Sequence, residues 1–135
     1  MKKIVLILLA FSPLFLFAQI NEETPGIYEF TEVGSPAEFT GGEVALQKYI
    51  AKNTNYPKIA IENNKQGTVF VEFVIDEEGR VVQAKVIRKG KNDPSLEKEA
   101  LRVVKSTSKK WIPAETKSGQ KCKMRFRIPV KFRMI

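Results

Sequence analysis

The sequence predicts an α+β fold, in which two main helices pack on one face of a small antiparallel three-stranded sheet. Two observations carry this prediction. Apolar and polar residues alternate over residues 68–75, 80–88 and 122–134, as they do in strands with one buried face. Apolar residues recur at spacings of three and four over residues 96–111, as they do on one face of a helix.

The N-terminus has the pattern of a secretory signal peptide. Lys2 and Lys3 precede a short apolar stretch, and a plausible cleavage point follows Ala18. The alternative is an uncleaved membrane anchor, which is disfavoured because the apolar stretch is short for a membrane span and Pro13 interrupts it.

The predicted organisation has three parts: a signal peptide over residues 1–19, a flexible arm or linker over 20–37, and one folded domain over 38–135. The arm lacks periodicity and contains two prolines and two glycines, a composition typical of loops. Within it, only residues 27–30 are compatible with a loose strand.

The first helix is predicted over residues 41–52. Thr40 and Glu43 have the spacing of a capping box, and Phe39 and Val44 have that of a hydrophobic staple across the same helix start. After this helix, Pro57 is suited to open a short second helix.

A β-hairpin follows, in which Gly67 leads into the first strand. The residues from Asp76 to Gly79 form the predicted turn, where glycine supplies a positive φ. The return strand covers residues 80–88. Its apolar face is predicted to consist of Val82, Ala84 and Val86.

The long helix is predicted to begin after Asp93, which acts as an N-cap before a proline in the first turn. Its apolar stripe extends to Trp111, and Pro113 ends it. The remaining members of the stripe are Leu96, Ala100, Val103, Val104 and Thr107.

The terminal strand, residues 121–132, has an apolar face and a basic face. Pro129 is the one break on the basic face, and proline fits an edge strand because it cannot donate a ladder hydrogen bond. An unpaired edge can accept a strand from another protein, so this strand is the predicted partner site. The predicted partner-binding residues are Lys121, Lys123, Arg125, Arg127, Pro129 and Lys131.

Composition argues against an enzyme, a cofactor site and a metal site. The chain has no histidine, so it lacks the most common general base and the imidazole ligand of zinc. The one cysteine, Cys122, lies on the apolar side of the terminal strand and is predicted to be a small buried residue.

The formal charge of +8 raises the question of nucleic acid. Phe126 and Phe132 lie on the apolar side of the terminal strand, so they cannot stack on bases between the basic side chains. The sequence therefore predicts no nucleic-acid partner. A solvated face that discourages aggregation and a face that recognises an added strand both remain open.

Four motifs, in this order and spacing, resemble the C-terminal domain of TonB, the energy transducer of bacteria with an outer membrane. They are Tyr56-Pro57-x-x-Ala60, the hairpin from Gly67 through Gly79, the helix with its Trp111-x-Pro113 exit, and the closing Ile128-Pro129-Val130 strand. The resemblance covers roughly residues 36–135. It implies structural roles for Tyr56, Pro57, Gly67, Gly79, Trp111 and Pro113.

The resemblance also implies a function. The TonB domain binds the TonB box, an extended segment of outer-membrane transporters, along its last strand, here residues 121–132. It implies a periplasmic protein that supports energised transport. If the N-terminus is an uncleaved anchor, it implies an inner-membrane protein that faces the periplasm and contacts inner-membrane motor proteins.

Further alternatives remain. A cleaved signal leaves no anchor, and the arm lacks a long proline-rich spacer, so adaptor, competitor and accessory roles stay open. A homodimer through the unpaired edge of the terminal strand also stays open, because an unpaired edge can accept a strand from a second copy of the chain. A structural scaffold of the TolA type, without a transport role, is the alternative of a different class.

Overall fold

The computed structural model describes residues 26–134, so the predicted signal peptide lies outside the described residues. Strands and helices alternate irregularly along this part of the chain. The elements are β1 (Ile27–Tyr28), a 3₁₀ turn (Phe30–Glu32), β2 (Glu38–Phe39), α1 (Gly42–Asn53), α2 (Lys58–Glu62), β3 (Gly67–Ile75), β4 (Val81–Ile87), α3 (Pro94–Lys105), β5 (Trp111–Ile112), β6 (Ala114–Glu115) and β7 (Lys121–Phe132).

The main sheet has the strand order β1-β7-β3-β4, and β6 also pairs with β7. The three long strands are antiparallel, with β3 between β4 and β7, which confirms the predicted arrangement of these strands. The whole sheet is larger and mixed, because β1 pairs in parallel with β7. The prediction of three strands left out β6, and it placed the loose strand of residues 27–30 in the arm and not in the sheet, because two residues are too few to show a period-two pattern.

The core lies between the sheet and α3. Side chains of β3 and β7 that point toward the helices are buried against the apolar stripe of α3. The fully buried residues on β3 and α3 include Val69, Val71, Phe73, Ile75, Leu96, Ala100, Val103 and Val104. The alternation in the sequence therefore identified the buried faces of these elements correctly.

A β-bulge changes the face assignment in β4. Val82 pairs with Val74 and Lys85 pairs with Glu72, so two residues of β4 lie opposite Phe73. Gln83, one of the two, has a φ of 52°. The prediction that Val82 shares a face with the core-facing residues is wrong. Because the bulge adds one residue, the side chains that pack against the core are Val81, Ala84 and Val86.

The long helix starts as predicted but ends earlier. The carboxylate of Asp93 accepts a hydrogen bond of 3.0 Å from the backbone N–H of Ser95. The helix ends at Lys105, and Trp111 lies in β5 opposite Phe39 rather than on the helix. Beyond residue 106, backbone N–H groups bond to the carbonyl three residues back in successive turns, and the φ of 72° at Lys109 then directs the chain into β5.

The start of α1 differs from the predicted capping box. Gly41 is the N-cap residue with a φ of 95°, and the hydroxyl of Thr40 donates to the carbonyl of Lys110 at 2.8 Å. The predicted staple is also absent, since Val44 is 63% exposed while Phe39 packs on Trp111. Phe39 and Thr40, which the sequence pattern assigned to the start of α1, therefore contact Trp111 and Lys110 instead.

The predicted flexible arm is described from Gly26 onward, and this part packs against the domain. β1 joins the sheet, and Val33 and Ala37 are buried in the core. Ser35 exchanges two backbone hydrogen bonds with Glu115, of 3.0 and 2.8 Å. Because these contacts have no periodicity, the sequence indicated only a loose strand over residues 27–30 and not the packing of the segment. Within residues 26–134, no helix has both the length and the apolar character of a membrane span.

Candidate functional site

The two edges of β7 are paired to different extents. On one edge, β3 pairs with β7 from Met124 to Phe132. The other strands that pair with β7 in the described part of the chain are β1 and β6, and both contact it only within Lys121–Met124. Residues 125–132 therefore pair with β3 alone, so one backbone edge of this stretch has no strand partner among residues 26–134.

The basic face of β7 carries a network of ion pairs. Nε of Arg125 lies 2.7 Å from Glu29 Oε2, and Nε of Arg127 lies 3.0 Å from Glu72 Oε1. Each arginine also approaches the other carboxylate, at 3.4 Å between Arg125 and Glu72 and 3.8 Å between Arg127 and Glu29. Lys85 of β4 adds a contact of 3.6 Å to Glu72. The two arginines of the basic face are therefore paired with acids of the same chain.

Arg125 is the most enclosed of the predicted partner-binding residues that form ion pairs. Its side chain is 16% exposed, and that of Glu72 is 13% exposed. The hydrogen bond to Glu29 raises the pKa of Arg125 above its usual value, against the opposing effect of burial. This guanidinium is thus a charged group held at the sheet surface by carboxylates on both sides.

The other predicted partner-binding residues lie along the same strand. Lys123 pairs with Glu77 of the hairpin turn, with 3.1 Å between Nζ and Oε2. Lys121 and Lys131 are exposed. Pro129 lies opposite Phe70, a large apolar side chain of β3 that is also exposed.

Sequence reasoning missed the two acidic members of the network. Glu72 has the polar parity of β3, but its position opposite Arg127 depends on the register between strands that are far apart in sequence. Glu29 follows β1 in a segment without periodicity. The alternation of β3 was a usable signal for Glu72, whereas the sequence held none for Glu29.

Two of the predicted structural residues lie where the hairpin turn meets β5. Gly79 has a φ of 78°, and a Cβ there would lie 2.3 Å from the carbonyl oxygen of Trp111. The Trp111 indole N–H donates to the Thr107 hydroxyl at 3.0 Å. Its ring lies 5.0 Å from that of Phe126 on β7 and 5.7 Å from that of Phe73 on β3. We call the cluster of Gly79, Thr107, Trp111, Phe126 and Phe73 the aromatic junction.

The remaining structural residues lie elsewhere around the sheet. The ring of Tyr56 is 5.6 Å from that of Phe132, and its hydroxyl donates to a backbone carbonyl near the start of β3. Pro57 immediately precedes α2, and Gly67 begins β3 opposite Phe132. Pro113 separates β5 from β6. These positions shape the ends of the sheet.

The groups at the site are of the kind that bind another polypeptide chain. Within residues 26–134, no group of three or more acidic, cysteine or histidine residues could hold a metal ion. Cys122 is buried, and burial raises the pKa of its thiol, which disfavours the reactive thiolate. What the strand offers is backbone hydrogen-bonding groups on one edge, with charged side chains beside them.

The chain is similar to known proteins over most of its folded part. A family model described as Gram-negative bacterial TonB protein C-terminal matches residues 52–134. The NMR solution structure of a Helicobacter pylori TonB C-terminal domain has 26% sequence identity and a TM-score of 0.51, covering 67% of this chain and 90% of that chain. A second, longer solution structure of that domain has 24% identity and a TM-score of 0.49, covering 68% and 81%. No curated protein matches the chain.

Proposed function

We propose a function for this chain, which belongs to the Gram-negative bacterial TonB protein C-terminal family. It binds the TonB box of outer-membrane transporters by strand addition to β7, and in this way supports TonB-dependent energised transport. Domains of this family are periplasmic interaction domains and not enzymes, and the family generally interacts with outer-membrane transporters.

One observation carries the proposal: residues 125–132 of β7 pair with β3 alone in the described part of the chain. An extended peptide that adds to such an edge gains main-chain hydrogen bonds, which supply affinity, while neighbouring side chains supply specificity. The neighbours here are Arg125, Arg127 and the exposed pair of Pro129 and Phe70. We propose Lys121, Lys123 and Lys131 as further residues that contact the partner.

The test is titration of a TonB-box peptide into the isotope-labelled protein, with a scrambled peptide of the same composition as control. We expect the amide signals of residues 121–132 to shift in a saturable way. The sheet provides an internal control, since β4 is the strand at its opposite end. Shifts confined to Val81–Ile87 or to the helices, with β7 silent, would refute this assignment.

We further propose that the signal peptide, predicted over residues 1–19, directs export and is removed by cleavage near Ala18-Gln19, which leaves a periplasmic protein. The Lys2-Lys3 start and the short apolar stretch interrupted by Pro13 support this proposal. Intact-mass measurement of the protein from the periplasmic fraction tests it. A membrane-bound protein that retains Met1 would contradict cleavage and favour an anchored transducer that contacts inner-membrane motor proteins.

A structural scaffold of the TolA type is the second candidate. The observation that favours it is the ion-pair network, because the arginines of β7 already have carboxylate partners within the chain. Affinity capture from the periplasm separates the two candidates. Recovery of outer-membrane transporters supports the proposed function, and recovery of envelope assembly proteins alone supports the scaffold.

A further inference from the structure

The segment of residues 27–29 lies on the edge of β7 that the proposed partner would use. In the sheet order, β7 stands between β1 and β3, so β1 occupies the edge opposite β3. Ile27 and Tyr28 pair in parallel with Lys123 and Met124. The free part of this edge, residues 125–132, begins where the pairing of β1 ends, and β1 covers two residues of the proposed partner site at residues 121–132.

Glu29 extends this contact along the strand. Its two carboxylate oxygens reach Arg125 at 2.7 Å and Arg127 at 3.8 Å. The chain then leaves the edge, because the carboxylate of Glu32 accepts a hydrogen bond of 2.7 Å from the N–H of Glu29 and a 3₁₀ turn follows. The segment thus ends with one carboxylate between two guanidinium groups.

We propose that residues 27–29 are a built-in occupant of the partner edge, and that the partner is an extended acidic segment that displaces them. The partner pairs with β7 and places its own carboxylate between Arg125 and Arg127. This inference rests on the proposed function and adds to it the charge of the partner and a competitor within the chain.

The strength of the β1 contact suits an exchangeable occupant. Only two residues of β1 pair with β7, and both are partly exposed. The Glu29 side chain is 42% exposed, so its ion pairs are accessible to solvent and to a competing carboxylate. A partner that pairs along residues 123–132 would form more main-chain hydrogen bonds than the segment gives up.

The burial of Arg125 explains why the partner should be acidic. Its side chain is 16% exposed, and a charge this enclosed is costly when a paired carboxylate is removed without replacement. A partner without an acid would leave Arg125 with less compensation than it has in the free protein. A partner with a carboxylate at this position restores the pairing.

Competition has a measurable consequence. When only a fraction of molecules has a free edge, the apparent dissociation constant rises in inverse proportion to that fraction. Weakening the contact of Glu29 should therefore tighten partner binding. Glu29→Gln keeps the size of the side chain and removes its charge, and Glu62→Gln, on the exposed face of α2, is the matched control for charge.

The experiment is titration of a TonB-box peptide that carries an acidic residue, and of its amide counterpart, into the full chain. We expect Glu29→Gln to lower the dissociation constant for the acidic peptide by roughly three- to tenfold, with Glu62→Gln unchanged. The amide counterpart should bind at least about threefold more weakly than the acidic peptide. At saturation, the signals of Tyr28 and Glu29 should move to positions typical of unpaired chain.

A covalent lock provides the second arm. Ile27→Cys with Lys123→Cys, in a Cys122→Ala background, places two thiols on paired residues of β1 and β7. The oxidised variant should bind the peptide at least about tenfold more weakly than the reduced form of the same variant, because the loss of the Lys123 side chain affects both forms equally.

The outcomes separate this inference from the proposed function. Peptide binding at residues 121–132, with the signals of residues 27–29 unchanged and equal affinity for the locked protein, overturns displacement and leaves the proposed function intact. Equal affinity for the acidic and amide peptides overturns the acidic partner. Absence of any peptide binding to the unlocked protein overturns both proposals.

Discussion

The aromatic junction and the outer edge of β7 both include residues of the main sheet, but different interactions hold them together. At the junction, Trp111 is buried among aromatic rings, and Gly79 approaches its backbone too closely for any side chain. At the outer edge, Arg125 and Arg127 are held by carboxylates of β3 and of the segment after β1. A buried ring cannot leave the junction unless the domain unfolds, whereas a carboxylate that pairs with a surface arginine can be replaced by a carboxylate of another chain.

This difference separates stability from binding within a small domain. The family match covers residues 52–134, which include the junction and β7 but not β1 or Glu29. We expect changes at the junction to have the largest effects on the free energy of unfolding, and changes at the outer edge to have smaller effects on it and to alter partner binding as well.

Replacement of Trp111 should have the largest effect. Trp111→Ala removes a buried ring that contacts Phe39, Phe73 and Phe126, and should cost about 3–5 kcal/mol of unfolding free energy. Because the chain has one tryptophan, urea unfolding should be followed by circular dichroism. A loss below about 1 kcal/mol would show that the junction does not support the fold.

Replacement of Gly79 should be the next largest. Gly79→Ala combines a positive φ with a clash against the Trp111 carbonyl, and should cost about 3 kcal/mol. Gly119→Ala is the matched control, since its φ is 88° but nothing lies within 4 Å of the added Cβ. It should cost about 1 kcal/mol in the same thermal or urea unfolding assay. Equal losses for both variants would mean that the contact with Trp111 is not restrictive.

The arginines test the outer edge. Arg125→Ala removes an enclosed charge with carboxylates on both sides, and should cost about 2 kcal/mol of unfolding free energy. Arg127→Ala removes a side chain that is 53% exposed, and should cost less than about 1 kcal/mol. If urea unfolding gives the reverse order, the enclosure of Arg125 does not determine the stability of the edge.

Asp76 gives a small effect and a test by pH. Burial acts to raise the pKa of Asp76, but hydrogen bonds from the backbone N–H groups of Arg80 and Glu78 and from the Arg80 guanidinium outweigh it and lower the pKa. Because the folded pKa is depressed, the stabilisation is present at neutral pH and is lost as pH falls through the folded value.

Asp76→Asn should therefore be about 1 kcal/mol less stable than the parent at pH 7, measured by urea unfolding. The difference should shrink as pH falls below about 4. A difference that stays constant from pH 7 to pH 2.5 would exclude the carboxylate as its source.

The sequence predicted most of the fold but only part of the site. Long strands and α3 bury one face, so their periodicity was readable, and the capping role of Asp93 followed from its position before Pro94. The bulge at Gln83 and the end of α3 at Lys105 could not be predicted from the sequence. Both depend on backbone conformations that the pattern of apolar residues does not record.

At the site, the basic face of β7 could be predicted from the alternation of residues, but the pairing of its arginines with carboxylates could not be predicted. Glu72 and Glu29 reach the arginines through strand register and through the packing of a segment without periodicity. The burial of Trp111 was predicted correctly, although it reaches the core from β5 and not from the helix.

Amide hydrogen exchange along residues 125–132 is the most direct test of the open edge of β7. In a strand paired on one side only, successive N–H groups alternate between bonded and free. We expect alternating slow and fast exchange in the free protein on both sides of Pro129, which has no N–H, and slowing of the fast amides by at least roughly tenfold with saturating TonB-box peptide. Uniformly slow exchange without peptide, or fast amides that stay fast at saturation, would contradict strand addition at this edge.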